Sequence, residues 1–337
     1  MNVSFDCVIN TGVDQVKDVK QSDECIEPLD VIIDTDIGTD VDDAYALLFS
    51  LSSPELRVRG VTLVHGNLDT RSKITFKILK LLRRLDVPVA KGWENPLNDA
   101  RSVCWSGHEG VGIDFSDITD CSTLSEDAAN FIARVAEENS GKLVLITIGP
   151  MTNAAVAIQR FPNLKRHLKG IVAMASVFNG FGRDRAGVEH NIAVDPEAAK
   201  VVLESGIPLY LVGLNVTLKT SLTREHLEKI RSADTNLSRL FAHMTEQWLA
   251  VCKREYAIMH DPLAVAAAFD QNVVRFIPVR PDVSLDTAGI VSYYPGDDDS
   301  RVMIADRVNV EQFNLVFFPR IMSAICHKKG CSDGLCA

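Results

Sequence analysis

Short apolar runs rich in β-branched residues alternate with longer helical patterns through most of this chain, and this alternation restricts the fold more than any other feature. The runs predict strands at residues 30–35, 57–64, 142–147, 170–174 and 208–212. Helical patterns lie between them, at residues 42–52, 70–85, 126–139, 152–159 and 196–204. Apolar strands separated by helices indicate a mainly parallel, Rossmann-like sheet covered by helices. We therefore predict an α/β fold with its active site at the C-terminal ends of the strands.

The rest of the chain favours a single domain over residues 29–326, because no internal repeat or low-complexity linker divides it. Residues 1–28 are polar and acidic and predict a flexible N-terminal extension, and residues 327–337 predict a tail. The last part of the domain predicts a hairpin-like stretch over residues 283–309, followed by a final helix.

Two segments are typical of helix N-termini rather than of chemistry. Asp195-Pro196 predicts an N-cap followed by proline in the first helical turn. Thr152 and Asn153 likewise predict a helix cap, which leaves only the preceding backbone carbonyl for function.

The charge balance restricts the partners of the protein. The chain has 35 Lys and Arg against 45 Asp and Glu, which gives a net charge of −10. Nucleic acids and anionic membranes bind basic surfaces, so we predict neither as a partner. The eight cysteines form no Cys-x-x-Cys pair and indicate free thiols in a reducing compartment. We therefore expect a cytoplasmic protein.

The loop after the first predicted strand is crowded with carboxylates. Five aspartates fall within ten residues, with no Lys or Arg among them: Asp34, Asp36, Asp40, Asp42 and Asp43. Carboxylates packed together repel one another, and a bound cation removes that cost. Oxygen ligands suit Ca²⁺ or Mg²⁺ better than zinc. The loop therefore predicts a site for a divalent cation.

Three other interpretations of this loop compete with a cation site. An EF-hand beginning at Asp34 is excluded, because Thr39 and Tyr45 stand where glycine and glutamate are required. A strand followed by Asp34-Thr35-Asp36 also resembles the start of haloacid-dehalogenase-type phosphatases, in which the first aspartate attacks phosphorus. A solvated acidic turn is disfavoured by the apolar run immediately before it.

Six further segments complete a recognisable series of motifs. They are Val64–Asn67, Ala90–Leu97, Gly107–Gly112, Ile148–Asn153, Glu189–Ala198 and His260–Val265. Together with the acidic loop, they resemble the motifs of nucleoside hydrolases of the inosine-uridine-preferring type, in the same order and over residues 30–325. The chain departs from the family signature in the acidic loop, where Ile37 replaces a proline and two additional residues precede the Asp42-Asp43 pair.

The resemblance implies an enzyme that binds Ca²⁺ and hydrolyses the N-glycosidic bond of purine or pyrimidine ribonucleosides, releasing the free base and ribose in nucleoside catabolism. The implied metal ligands are the carboxylates of Asp36, Asp43 and Asp261 and the backbone carbonyl of Ile148. Asp36 would also accept a proton from the attacking water, because a carboxylate has two oxygens. His260 would protonate the departing base, since an imidazole titrates near neutral pH.

The resemblance also implies a ribose site and a base contact. His108 would contact the base, Met174 would line the sugar, and the sugar hydroxyls would be bound by Asp42, Asn67, Asn179, Glu189 and Asn191. Because of the insertion in the acidic loop, Asp40 is an alternative to Asp42. Arg183 occupies the place of a family asparagine, and Asn179 would replace that residue.

Several alternatives stay open at this point. The residues also allow a metal-dependent phosphohydrolase with an aspartate nucleophile, or a protein that binds nucleosides without turnover. The motifs do not decide between purine and pyrimidine bases. The resemblance implies a homo-oligomer, either a dimer or a tetramer.

Overall fold

A computed structural model of the protein describes residues 27–178, 189–282 and 290–327. Most of the predicted N-terminal extension and tail, as well as Asn179, lie outside these residues. The described strands are β1 (Leu29–Thr35), β2 (Leu56–Leu63), β3 (Val89–Lys91), β4 (Leu143–Thr147), β5 (Leu168–Met174), β6 (Val177–Phe178), β7 (Leu209–Val212), β8 (Ser221–Leu222), β9 (Ala257–Ile258), β10 (Val274–Asp282), β11 (Ile290–Pro295) and β12 (Val302–Val308).

Helices connect most of these strands. They are α1 (Asp42–Leu51), α2 (Leu68–Leu81), α3 (Ala128–Glu138), α4 (Thr152–Arg160), α5 (Leu164–His167), α6 (His190–Val194), α7 (Pro196–Leu203), α8 (Leu214–Thr217), α9 (Arg224–Ser232), α10 (Asn236–Cys252), α11 (His260–Ala267) and α12 (Val310–Cys326), with a 3₁₀ turn at Ser116–Ile118. Among the described residues, no helix combines the length and the apolar character that a membrane span requires.

One large sheet organises the domain, with the strand order β3-β2-β1-β4-β5-β7-β12-β10-β11-β6. Every described pair from β3 to β12 is parallel. The pairs of β10 with β11 and with β12 are antiparallel, and β8 and β9 form a separate antiparallel pair. The predicted α/β fold with a mainly parallel sheet is confirmed.

The central strand shows why the sheet is covered on both faces. Val31, Ile32 and Ile33 follow one another in β1 and all are completely buried. Val31 and Ile33 belong to one apolar cluster and Ile32 to the other, because successive side chains of a strand point to opposite faces. Burying such side chains contributes about 1.5–3 kcal/mol each, so both faces of this strand need helical cover.

The prediction of a hairpin over residues 283–309 is wrong. β11 and β12 each pair with β10, which lies between them in the sheet. β10 has no clear strand pattern in the sequence, because arginines and prolines interrupt its apolar residues, in the run Val-Arg-Phe-Ile-Pro-Val-Arg-Pro-Asp. β3 and β6 were missed because they are only three and two residues long.

Of the two predicted helix caps, one is confirmed and one is wrong. The Asp195 carboxylate accepts a hydrogen bond from the Ala198 N–H (3.0 Å) at the start of α7. Thr152 and Asn153 do not cap α4, whose N-cap is Met151. The Thr152 hydroxyl instead donates to Asp195 (2.6 Å), and the side chain of Asn153 points into the sheet edge described below.

Candidate active site

Predicted site residues from distant parts of the chain meet at the C-terminal edge of the parallel strands. Asp36 follows β1, Asn67 follows β2, Ile148 follows β4, and Met174 is the last residue of β5. The strands β2, β1, β4 and β5 are neighbours in the sheet, so their ends lie side by side. α11 begins beside them, since the backbone N–H of Asp261 donates to the Asp42 carboxylate (3.2 Å).

Three buried carboxylates form the centre of this edge. Asp42, Asp43 and Asp261 are each 3% exposed, and each offers an oxygen within 4.8 Å of the other two. Asp42 and Asp43 lie in the first turn of α1, where the helix N-terminus favours negative charge. The hydroxyl of Thr35 donates to Asp43 (2.5 Å).

The electrostatics of this carboxylate group favour a bound cation. Burial, together with the charges of neighbouring aspartates, raises the pKa of Asp42, Asp43 and Asp261 well above the usual range of an aspartate. The charged form of each carboxylate is therefore disfavoured, and a bound cation would offset that cost. Buried oxygen ligands without a sulfur or imidazole among them fit a hard divalent cation.

Asp36 and Ile148, the other two predicted metal ligands, lie at the margin of the group. Asp36 is buried, and its Oδ2 lies 3.9 Å from Nη2 of Arg71 and 4.0 Å from Nε2 of His190. Its negative charge contributes to the raised pKa of Asp43. The backbone carbonyl of Ile148 accepts a hydrogen bond from the Asn191 side chain (3.2 Å). Within the described residues, the set of mutually close carboxylates contains Asp42 in the place of Asp36.

The structure separates Asp40 from Asp42, the two alternatives for sugar binding. Asp40 is exposed, and its carboxylate accepts a hydrogen bond from the indole N–H of Trp248 (2.7 Å). Asp42 is buried within the carboxylate group. Of the two, Asp42 is therefore the one that lies within the buried carboxylate group.

Glu189 and Asn191, two of the residues predicted to bind the sugar hydroxyls, lie at the ends of β4 and β5. Asn191 donates from its side-chain amide to the carbonyls of Ile148 and Met174 (3.2 and 2.9 Å). Glu189 accepts hydrogen bonds from the backbone N–H groups of Ser176, Asn191 and Ile192. Burial raises the pKa of Glu189. These contacts fix both side chains beside the metal-ligand candidate Ile148.

Asn67 and His108 take part in local structure as well as lining the edge. The side-chain oxygen of Asn67 accepts a hydrogen bond from the Thr70 N–H (2.9 Å) and thereby caps α2. Nε2 of His108 lies 2.9 Å from the carbonyl of Thr39, which ties His108 to the acidic loop. Nδ1 of His108 is buried and has no protein partner.

His260 lies at the first position of α11, next to Asp261. Its Nδ1 makes a hydrogen bond of 2.7 Å with the hydroxyl of Thr217. Burial lowers the pKa of His260 to about 4, so this imidazole is neutral at pH 7. The expectation that it titrates near neutral pH therefore does not hold for this site.

Asp34 does not have the surroundings of a nucleophile. Its side chain is completely buried, and its Oδ1 accepts hydrogen bonds from Thr62 (2.6 Å) and Asn153 (2.7 Å). Burial raises its pKa to about 7. These contacts hold the Asp34 side chain in the protein interior, which argues against attack on phosphorus.

Sequence reasoning missed four residues of this edge. Asn153 links Asp34 to the carbonyl of Leu63 (3.1 Å), and it was assigned to a helix cap. Arg71, His65 and His190 lie around Asp36. His65, His190 and Asn153 lie within motifs that resemble the family's (Val64–Asn67, Glu189–Ala198 and Ile148–Asn153). That position was the sequence signal that could have indicated a role at the site.

Comparison with known proteins decides the family. A model of the inosine-uridine preferring nucleoside hydrolase family matches residues 31–314, most of the chain. The chain belongs to this family. The pyrimidine-specific ribonucleoside hydrolase RihA of Salmonella paratyphi A is 32% identical over 282 residues, which cover 79% of this chain and 89% of that protein.

Solved structures of nucleoside hydrolases agree with this assignment. A purine-preferring ribonucleoside hydrolase from Gardnerella vaginalis superposes with a TM-score of 0.78 at 30% identity, covering 88% of this chain and 99% of that one. A plant nucleoside hydrolase, PpNRh1, shares the fold with a TM-score of 0.77 at 24% identity, covering 88% and 100%.

Membership of the nucleoside hydrolase family establishes the reaction class. The protein is a ribonucleoside hydrolase that acts on N-glycosidic bonds. The phosphohydrolase and the non-catalytic alternative are thereby superseded. The family is metal-dependent, and Asp42, Asp43 and Asp261 supply carboxylates that a metal ion can bind.

Proposed function

We propose that this nucleoside hydrolase uses Ca²⁺, with Asp36 as the general base and His260 as the residue that assists departure of the base. One observation carries the proposal. The carboxylate group of Asp42, Asp43 and Asp261 is buried at the strand ends, and His260 directly precedes Asp261 in the first turn of α11.

The cation site is assigned to the carboxylates of Asp36, Asp43 and Asp261 and to the carbonyl of Ile148, with Asp42 beside them. The raised pKa values of Asp43 and Asp261 support this assignment, because a divalent cation would offset the burial and mutual repulsion that disfavour their charged forms. When bound, the cation polarises the water that attacks the sugar.

Asp36 accepts the proton of the attacking water. Its carboxylate is buried at the end of β1, and Arg71 and His190 lie near its Oδ2. A base in this position stays oriented toward the strand ends. The transition state of N-glycoside cleavage carries positive charge on the sugar, and the surrounding aspartates stabilise that charge.

Polar side chains from several elements bind the ribose hydroxyls. We assign these hydroxyls to Asp42, Asn67, Glu189 and Asn191, with Asn179 as a further candidate, and we assign Met174 to the sugar wall and His108 to the base. Buried hydrogen-bonding groups left without a partner make 2′-deoxyribose a poor substrate. Discrimination between ribose and 2′-deoxyribose thus follows from the burial of these hydrogen-bonding side chains.

A nucleoside panel tests the function. With inosine and uridine we expect release of free base and reducing sugar without added phosphate, and loss of release in the presence of a calcium chelator. We expect 2′-deoxyuridine to react at least a hundredfold more slowly than uridine. The matched control is p-nitrophenyl phosphate, from which no phosphate should be released. Binding of nucleoside with no base release over hours would contradict the proposal.

Replacing His260 with alanine is expected to lower kcat for inosine by a factor at least ten times larger than for uridine. Departure of a purine is helped more by a proton donor. A second variant, at Thr217, tests the same role. If the Thr217 hydroxyl donates to Nδ1 of His260, the ring proton lies on Nε2 and faces the leaving base. Thr217→Val should then reproduce part of the loss. Equal losses for both nucleosides would contradict the role of His260.

The setting of the enzyme is also a proposal. We propose a cytoplasmic homo-oligomer, dimer or tetramer, with a single folded domain over residues 29–326 and no nucleic-acid partner. The net charge of −10 and the cysteine pattern support this setting. Size-exclusion chromatography with light scattering measures the oligomeric state directly.

A further inference from the structure

Arg71 is a completely buried arginine beside the active site. It lies in the first turns of α2 and is 0% exposed. A charged side chain is almost never fully buried unless its donors are paired. The partners of Arg71 therefore explain why the chain retains a guanidinium at this position.

Most of those partners belong to the acidic loop. Nη1 of Arg71 donates to the backbone carbonyl of Asp36 and to that of Ile37 (2.8 Å), and Nη2 donates to the hydroxyl of Thr39 (3.1 Å). The guanidinium thus spans the loop that carries the proposed base. Its donors act on the backbone, so they fix where the loop runs as well as where one side chain points.

The same guanidinium contacts two further segments of the site. Its Nε donates to the carbonyl of His65 (2.5 Å), which follows β2. Its Cζ lies 5.2 Å from the ring centre of Trp105. His65 has a φ of 62°, a left-handed conformation that costs energy for a residue with a side chain. Arg71 supplies one of the contacts that hold this conformation.

The electrostatics at Asp36 agree with this role. Nη2 of Arg71 lies 3.9 Å from the Asp36 carboxylate, so one positive charge balances part of the acidic loop without a metal ion. Lysine cannot replace this arrangement, because the planar guanidinium directs several donors at fixed angles toward separate acceptors.

We propose that Arg71 is a positioning residue that holds the acidic loop, and through it Asp36, in the arrangement required for cation binding and catalysis before either ligand is present. The proposal rests on the proposed function of Asp36. It assigns Arg71 no contact with the substrate.

The experiment compares Arg71→Met and Arg71→Lys with Arg59→Met. Arg59 is the matched control: its guanidinium makes three hydrogen bonds, to Asp30 and Asn139, against four for Arg71, and Asp30 lies at the opposite end of β1. We measure amide hydrogen exchange of residues 34–44 in the metal-free protein, the Kd for Ca²⁺ by calorimetry, and kcat and KM for the best nucleoside.

We expect Arg71→Met to accelerate exchange in residues 34–44 at least fivefold, to raise the Kd for Ca²⁺ at least tenfold, and to lower kcat at least tenfold with KM changed less than threefold. Arg71→Lys should show smaller changes in the same direction, and it provides the test if Arg71→Met fails to fold. Arg59→Met should differ from the wild type by less than twofold in all four quantities.

Two results would overturn the proposal. One is that Arg71→Met, or Arg71→Lys where Arg71→Met does not fold, behaves as Arg59→Met does. The other is that Arg71→Lys equals the wild type, since charge alone would then suffice. If wild-type protein fails to bind Ca²⁺, the proposed cation is wrong, and amide exchange in the metal-free protein still decides the role of Arg71.

Discussion

Replacing Asp36 with asparagine is expected to lower kcat about a thousandfold, within the 10²–10⁴ range of positioned acid–base groups. Asparagine keeps the size of the side chain and removes the group that accepts the proton. The hydrogen bonds from Arg71 reach the backbone carbonyls of residues 36 and 37, so they persist in the variant. We therefore expect the fold to survive, with an unfolding midpoint close to that of the wild type.

Asp30 provides the matched control for this substitution. It is another buried aspartate, paired with Arg57 and Arg59 at the opposite end of β1 from Asp36. Asp30→Asn should lower thermal stability and leave kcat within twofold of the wild type. Steady-state release of reducing sugar from inosine and uridine measures both variants. Activity of Asp36→Asn within tenfold of the wild type would show that another group takes the proton.

The fold and the carboxylates of this site were accessible from the sequence because their signals are local. Asp34, Asp36, Asp42 and Asp43 lie within ten residues, directly after an apolar strand. Asp261, more than 200 residues away, was predicted from the resemblance of the His260–Val265 segment to a family motif, and it lies within the same carboxylate group. Neither step required knowledge of side-chain contacts.

The residues that hold those carboxylates were not accessible in the same way. Asn153 was assigned to a helix cap, yet its amide reaches Asp34, 119 residues earlier in the chain. Arg71 lies in an amphipathic helix, where an arginine ordinarily faces solvent. Its burial depends on the acidic loop and on Trp105. Such contacts depend on tertiary packing, which leaves no periodic pattern in the sequence.

Removal of the metal is expected to change stability in a way that depends on pH. Burial and mutual repulsion raise the pKa of Asp42, Asp43 and Asp261, and raise that of Asp34 to about 7. A carboxylate whose pKa is higher in the folded state binds more protons there than in the unfolded chain. Its contribution to stability is therefore fully present below pH 4 and is lost as pH rises through the folded-state value. For Asp34 this loss runs from about pH 4 to about pH 7, and for Asp42, Asp43 and Asp261 it likewise begins above about pH 4.

Calcium should reverse the part of this loss that comes from Asp42, Asp43 and Asp261, because the cation offsets the repulsion between their negative charges. At a free Ca²⁺ concentration of one hundred times Kd, binding to the folded state alone contributes about 2.7 kcal/mol. Since protons compete with the cation, the increase in unfolding midpoint on adding Ca²⁺ should grow from pH 5 to pH 8. Asp43→Asn should reduce this increase, and sodium chloride at equal ionic strength serves as the control for screening.

The difference in unfolding midpoint between calcium-loaded and metal-free protein separates the effect of the carboxylates on stability from that of the histidines. Burial lowers the pKa of His65 and His260 to about 4, so their contribution to stability is lost in both samples as pH falls below 6.5. Subtracting the two midpoints at each pH largely removes that effect. A calcium-dependent increase that stayed constant or shrank between pH 5 and pH 8 would mean that the ion binds away from Asp43 and Asp261. The buried carboxylates would then need another source of positive charge.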